Sequence, residues 1–333
     1  MASPLSAKTS FFSTKRALSA FFALICVLYY QVAKAQSEPL FTGAALMPSA
    51  VNPGAAGKSG LLDATAAFRQ QWVGFDGAPT QFMLAADAEV RFLKNFHGVG
   101  LTAIQDKVGP VKAINLSAAY SYHIYLDKGI LGLGASFGAY NVKFSASDLK
   151  TSTPELPDGF HQESDEALSG ADDSQTAFDV GLGAFYQSEA SFLSLSVQHL
   201  TAPDVELKNG AVLNVLPVMS LSAGRLLGKD VKQRSVEPRL TMRTDFGSLQ
   251  TEMWLNANFN PRFWLGLGAR FQDAMLVAAG VRLKNGLDIS YAYDLSLSKL
   301  RKYNSGSHEV ILHYSVDLNR ERPTRRYKSV RIL

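Results

Sequence analysis

The chain has 333 residues, with 33 basic and 29 acidic side chains and a formal net charge of +4. Lys8, Lys15, Arg16 and Lys34 fall in the first 35 positions, which hold no acidic residue, so the remainder carries 29 of each sign and no basic excess with which to grip nucleic acid. The one cysteine, Cys26, also lies there, which excludes a disulfide, a thiol nucleophile or a cysteine metal site from the rest of the chain.

Residues 1–35 read as a signal peptide. The three cations at 8, 15 and 16 form the n-region, 17–30 the apolar run, and Ala33, Lys34 and Ala35 an A-x-A cleavage site before Gln36. An apolar run of about 14 residues falls short of the roughly 20 that a membrane-spanning helix needs; a retained anchor is the alternative. Ile25 before Cys26 is not the small residue of a lipoprotein leader. Residues 36–61 follow as an N-terminal segment, either periplasmic or a plug in a lumen.

From Leu62 a period-two hydrophobic pattern recurs almost to the end. In 130–141 (ILGLGASFGAYN), Leu131, Leu133, Ala135, Phe137 and Ala139 share one face, and Gly132, Gly134, Ser136 and Gly138 the other. Successive strand side chains point to opposite faces, so such segments build a sheet that is apolar outside and small or polar inside. Ile114, Leu116, Ala118, Tyr120, Tyr122 and Ile124 make an apolar face long enough for a membrane. The pattern predicts strands near 62–72, 79–91, 97–106, 112–126, 130–143, 175–186, 190–199, 216–227, 236–243, 250–260, 262–272, 274–285, 286–294 and 307–318. The expected fold is therefore all-β, a transmembrane antiparallel outer-membrane β-barrel of about 14 strands over 62–318, with a range of about 12 to 16. A basic tail, 319–333, follows.

Connection lengths give an independent check. The long ones, 144–174, 200–215 and 295–306, all fall on one side of the count and are expected to be external, while short turns such as Asn285-Gly286 face the periplasm. Residues 228–235 are long for a periplasmic turn. The loop at 144–174 is strongly acidic, with Asp148, Glu155, Asp158, Glu163, Asp165, Glu166, Asp172 and Asp173 against Lys150 alone. It reads first as a solvated loop, then as a contact site for a basic partner or a cation; no EF-hand spacing is present.

Catalytic and cofactor motifs are weak. Residues 52–59 (NPGAAGKS) imitate a phosphate-binding loop, but Asn52 stands where the first glycine should be and Pro53 lacks an N–H. The six histidines form no ligand pair, and no serine, histidine and carboxylate stand out together. The expectation is no enzyme, no cofactor and no metal. Charges inside strands should face the lumen, because a charge on the lipid face costs about 2–4 kcal/mol at the midplane. On that ground Asp87, Glu89, Arg91, Arg239, Arg243, Glu252, Arg270 and Arg282 are candidate lumen charges, with Arg239 and Arg243 expected to pair with carboxylates such as Glu252. A selectivity filter is the alternative role.

Several blocks stand out: 51–57 (VNPGAAG), 69–80 (RQQWVGFDGAPT), 98–100 with Asp106, 120–123 (YSYH), 292–294 (AYD) and 304–309 (NSGSHE). Together they resemble the PorP/SprF family of outer-membrane proteins from the type IX secretion systems of Bacteroidota. They span essentially the whole chain after the leader, in family order. Gly54 replaces a common alanine, and 328–333 lacks a terminal aromatic pair.

The resemblance implies a non-enzymatic integral outer-membrane protein that docks or retains secreted cargo carrying a C-terminal sorting domain, such as gliding-motility adhesins. It also implies association with periplasmic ring and peptidoglycan-linked components. A channel for small solutes is the competing reading. Candidate outer-rim contacts are Trp72, Asp76, Glu155, Asp158, Glu163, Asp165, Asn304 and His308, although turn chemistry and barrel closure explain Trp72, Asn304 and His308 equally well.

Overall fold

The computed structural model describes residues 39–145, 173–202, 204–206, 212–230 and 234–317. The leader, Glu155, Asp158, Glu163 and Asp165 of the acidic loop, and the basic tail lie outside the described residues.

Fourteen antiparallel strands form the wall: β1 (Leu62–Gln70), β2 (Thr80–Phe92), β3 (Asn95–Val108), β4 (Val111–Leu126), β5 (Gly129–Phe144), β6 (Asp173–Ser188), β7 (Ser191–Gln198), β8 (Val218–Arg225, continued by Leu227–Asp230), β9 (Arg234–Thr244), β10 (Leu249–Asn258), β11 (Phe263–Arg270), β12 (Ala274–Arg282), β13 (Leu287–Ser296) and β14 (Ser307–Val316). Each pairs with the next, and β14 returns to β1, with Leu62 opposite Val316 and Gln70 opposite His308. Closure leaves no unpaired edge in the wall, as a lipid environment demands.

The alternation decides which face meets lipid. In β2, Phe82 and Leu84 are exposed, whereas Gln81, Met83, Ala85 and Asp87 between them are buried. Leu101, Leu116, Phe137, Phe178, Leu182, Leu193, Leu255 and Leu267 continue the exposed apolar band around the barrel. So large an apolar surface is stable against hydrocarbon and not against water. Among the described residues no helix is long and apolar enough to cross a membrane, and the strands do the crossing.

One rim carries only tight turns. At Leu93 and Lys94 both residues take positive φ, 46° and 65°, the conformation of a two-residue hairpin turn whose twist matches its strands. At the opposite rim lie 71–79 and 297–306, and there β5 ends at Phe144, β6 starts at Asp173, β7 ends at Gln198 and β8 starts at Val218. The expected long turn at 228–235 is a correction: Leu227–Asp230 pairs with β9 beyond an irregularity, so the paired strands reach Asp230 and Arg234, with 231–233 outside the described residues. The loop near 200–215 also holds a small hairpin, Asp204–Glu206 against Val212–Asn214.

The segment 39–61 lies inside the barrel. Short helical turns at Ala44–Leu46, Pro48–Val51 and Pro53–Ala55 carry it from the long-loop end toward the short-turn end, where β1 begins. Phe41, Leu46, Met47 and Ala50 pack on Met83, Trp254, Trp264, Leu276 and Ile311 from the wall. The other half of the plug lies against small inward residues. A Cβ on Gly132 would stand 2.1 Å from the Gly54 carbonyl oxygen, one on Gly98 1.8 Å from that of Ala56, and one on Gly183 1.9 Å from Asn52 Oδ1. The small face read from the 130–141 alternation is thus the bed of the plug.

Lys58 is the only basic residue between Gln36 and Leu61, so tryptic cleavage there reports on the plug. Gly98→Val should displace 52–58 at an overpacking cost of about 1–3 kcal/mol. The folded barrel should keep its heat-modifiable gel migration while trypsin gains access to Lys58. Native protection in a folded variant would show that the close approach is not limiting.

Candidate functional site

Backbone polar groups of a segment inside a barrel need partners, because lipid and protein exclude water from most of them. The wall supplies these in three places. At the long-loop end, the Thr42 and Gly43 amides donate to the two oxygens of Glu309, each at 2.8 Å. In the middle, the Asn52 amide group donates to Ser194 Oγ at 2.8 Å and to the Ala184 carbonyl at 3.0 Å, while its Oδ1 accepts from the Gly54 N–H. Toward the short turns, Asp87 accepts from Ser49 Oγ at 2.6 Å and from the Gly57 amide at 2.7 Å. Ser121, Ser196 and His123 satisfy the carbonyls of Gly54, Val51 and Ala56. The segment that imitates a phosphate loop is therefore a wall-bonded plug.

The first of these places is also the largest charge cluster among the described residues. Arg69 stands directly opposite Glu309 across the closing seam. Its guanidinium reaches Glu309 at 3.2 Å and Asp294 of β13 at 2.7 Å, and all three side chains are at most 2 % exposed. Arg270 of β11 meets Asp294 at 3.0 Å, Glu252 at 2.9 Å and Asp273 at 3.2 Å. The Thr42 hydroxyl sits among them, accepting from Arg69 at 2.8 Å and donating to Asp294 at 2.9 Å. Planar guanidiniums suit this role because one fork can serve two carboxylates at fixed angles.

The candidate lumen charges divide as follows. Asp87, Glu252 and Arg270 belong to these bonds. Glu89 accepts from Tyr125 and lies 3.8 Å from His123. Arg282 pairs with Asp288 at 3.2 Å. Arg91 is exposed near the short-turn rim, 5.7 Å from the Phe96 ring. Arg239 and Arg243 are expected to pair with carboxylates such as Glu252; Arg239 does find a carboxylate, though a different one, and Arg243 finds none among the described residues. Glu252 stands directly opposite Arg270 on the next strand, while Thr241 occupies the opposite position on β9, so both arginines there are diagonal to it. Direct cross-strand neighbours are about 4.5–5.5 Å apart at Cβ and diagonal ones roughly 7–8 Å, so Arg270 takes the carboxylate. Arg239 turns to Glu237, two residues away on its own face, at 2.5 Å.

Lys58, at the foot of the plug, lies 5.2 Å from the Phe185 ring centroid. Burial, reinforced by Arg239 nearby, pushes its ammonium down to about 8, against the opposing pull of Asp87, Asp63 and Glu237.

The outer-rim candidates sit together where they are described. The loop 71–79 is bonded to 297–306, the Val73 amide donating to the Gly306 carbonyl and the Ser305 amide to the Val73 carbonyl. Trp72 takes a left-handed φ of 50°, and its amide donates to Ser307 Oγ at 3.1 Å. Asp76 is exposed at the tip of the first loop. Asn304 works within its own loop, donating to the Leu300 carbonyl and accepting from Ser296 and from the Gly306 amide. His308 faces outward between Tyr291 and Tyr293, with the Tyr291 hydroxyl 2.5 Å from Nδ1. No cluster of potential metal ligands occurs among the described residues.

Sequence reasoning passed over Arg69, Asp294 and Glu309 as lumen charges, although each stands within a block quoted for the resemblance. Their parity was the available signal: Arg69 shares a face with Thr65 and Ala67, opposite to Phe68, and a charge within a strand belongs inside. Thr42 and Asn52 carried no such signal.

Arg69→Leu removes the cation shared by two buried carboxylates and should lower barrel stability by about 3–5 kcal/mol. Thermal or urea titration of heat-modifiable migration reads this, and trypsin should cut at Lys58 before the wall unfolds. A variant as stable and as protected as the native protein would mean that Arg270 alone holds the cluster.

Solved structures with similar folds are outer-membrane barrels at low identity. The CymD monoaromatic hydrocarbon channel superposes with a TM-score of 0.50 at 11 % identity, over 86 % of this chain and 96 % of its own. The Ralstonia pickettii toluene transporter TbuX gives 0.45 at 13 %, covering 83 % and 94 %. Omp33 of Acinetobacter baumannii gives 0.45 at 6 %, covering 79 % and 100 %. Likeness at these identities concerns the fold alone. Among curated proteins none matches the sequence. The family described as "Type IX secretion system membrane protein PorP/SprF" matches residues 33–314, which takes in the plug, all of the wall but the last two residues of β14, and the blocks that build the charge cluster. The chain belongs to the PorP/SprF family of type IX secretion system membrane proteins.

Proposed function

We propose that this protein is a non-enzymatic docking barrel of the outer membrane. Its long-loop rim faces outward and holds an exported cargo protein through that cargo's C-terminal sorting domain. Its short-turn rim faces the periplasmic ring and peptidoglycan-linked components of the apparatus. Large surface proteins, gliding adhesins among them, are the class of cargo.

The observation that carries this reading is the filled lumen. Wall carboxylates and amides are bonded to the backbone of 42–57, so the interior is built as a packed, hydrogen-bonded core. A diffusion channel needs that space open. With the lumen filled, the rims are the sizeable polar surfaces that the described residues leave for a partner, and the loop asymmetry supports the outward assignment of the long loops. The bonded pair of loops at 71–79 and 297–306 offers a fixed ledge, with Phe75 and Tyr303 exposed on it. The strands that the acidic segment joins, β5 and β6, end at Phe144 and Asp173. A preformed ledge lowers the ordering cost of binding, and the acidic loop adds long-range attraction for basic cargo surfaces.

Deleting residues 150–170 should leave the barrel inserted, since shortening a loop changes closure entropy by well under about 1 kcal/mol. Cargo retained on intact cells should fall. Co-purification of a type IX sorting domain with the native barrel, and its loss from the deletion, is the direct measurement. Normal cargo display by a well-inserted deletion would move docking off this loop, and a steady open conductance of the purified protein in planar bilayers would favour a channel instead.

Orientation has its own check. A protease site placed within 155–170 should be cut on intact cells and one placed at 231–233 should not. The reverse pattern would invert the assignment of the rims.

A further inference from the structure

The plug does not fill the lumen evenly. Between its Leu40 to Val51 stretch and the inner faces of β7 to β10 runs a cavity of about 80 Å³. Its wall is rich in hydrogen-bond donors. Arg243 of β9 lies between Ser220 on β8 and Gln250 on β10, each directly opposite it in register. Thr241 is the next inward residue of β9; its hydroxyl accepts from Ser222 at 3.0 Å, which leaves its own proton to donate elsewhere.

Arg243 differs from the other lumen arginines. Arg239 is held by Glu237, and Arg270 by Glu252, Asp273 and Asp294. Arg243 has no carboxylate within salt-bridge distance among the described residues, and its Nη1 is shielded from solvent without a hydrogen-bond partner. Glu252, which lines the same cavity, is already engaged: it gives one oxygen to Arg270 and the other to Trp254 Nε1. A guanidinium in a partly dry cavity without a counter-charge is costly, and its fork matches a planar or tetrahedral oxyanion. Lys58, Arg239 and Arg270 line the same cavity, with Glu252 as the one carboxylate in its lining.

We propose that this cavity binds a small oxyanion, either a carboxylate or a phosphate, with Arg243 as its principal ligand and the hydroxyls of Ser220 and Thr241 completing the cradle. The bound group bridges the wall and the open side of the plug. Acetate or phosphate suits such a volume, whereas a drug-sized ligand takes roughly 300 Å³ or more.

Trp254 lines the cavity and is one of only three tryptophans, so its fluorescence reports occupancy. The full-length protein, folded in detergent, is titrated with phosphate, acetate or chloride at constant ionic strength. A saturable change with phosphate or with acetate, and none with chloride, is expected; whichever of the two saturates at lower concentration identifies the preferred group. Arg243→Gln should weaken the response at least about tenfold, as loss of a charge-assisted hydrogen bond does. Arg243→Lys should restore part of it, and Arg262→Gln, in the turn after β10, should leave it native. If Arg243→Gln fails to migrate as a folded barrel, Thr241→Val, which keeps the charge, should weaken the response several-fold. The proposal is overturned if the native protein shows no saturable response to either oxyanion. It is equally overturned if whichever of these two variants folds responds as the native protein does.

Discussion

The barrel depends on one buried guanidinium at its closing seam. Arg69, near the end of the first strand, stands opposite Glu309 on the last and reaches Asp294 on the one before it. Buried charges are tolerated only when every one has a partner, so these residues specify the register in which the wall can close. A slip of one residue would turn Arg69 and Glu309 toward lipid. The same carboxylate accepts both the Thr42 and Gly43 amides, bonds that join residues 267 and 266 positions apart. Closure of the wall and seating of the plug are therefore coupled, since Glu309 is fully satisfied only when both have occurred.

From that anchor the interior divides into two halves of different chemistry. One is apolar, where Phe41, Leu46 and Met47 pack on Trp254, Trp264 and Ile311, and it gains stability from area removed from water. The other is a matter of backbone satisfaction: Gly132, Gly134 and Gly183 let the chain approach the wall, and Asn52, Ser121, Ser196 and His123 close its hydrogen bonds. Neither half resembles a water-filled pore. The cavity beside Arg243 is a place where this filling stops and a guanidinium nitrogen is left without a partner.

A barrel filled in this way presents its partners with rims. The two loops that carry the most recognisable sequence blocks are bonded to each other just beyond the charge cluster. The plug begins against that cluster as well, so the ledge, the seam and the start of the plug form one connected structure at the long-loop end. The ledge is tied to Glu309 and Thr42 through β14 and its neighbours.

Much of this was legible without coordinates. Alternation of apolar and small residues is a local property of the strand, so all fourteen wall strands and the uneven connections could be read from sequence, and the charge rule placed Asp87, Glu252 and Arg270 inside. The blocks at 69–80, 292–294 and 304–309 marked the family. What remained hidden is non-local. Which carboxylate meets which arginine depends on register: Glu252 goes to Arg270 because those residues are directly opposed, while Arg239 settles on Glu237 and Arg243 is left without an acid. The plug has no periodicity of its own, because its hydrogen bonds are completed by wall side chains that come together only when the sheet has curved and closed. The sequence by itself determined a wall with an apolar outside and a small, charged inside; only the closed tertiary structure decided that this inside is occupied, and by which segment.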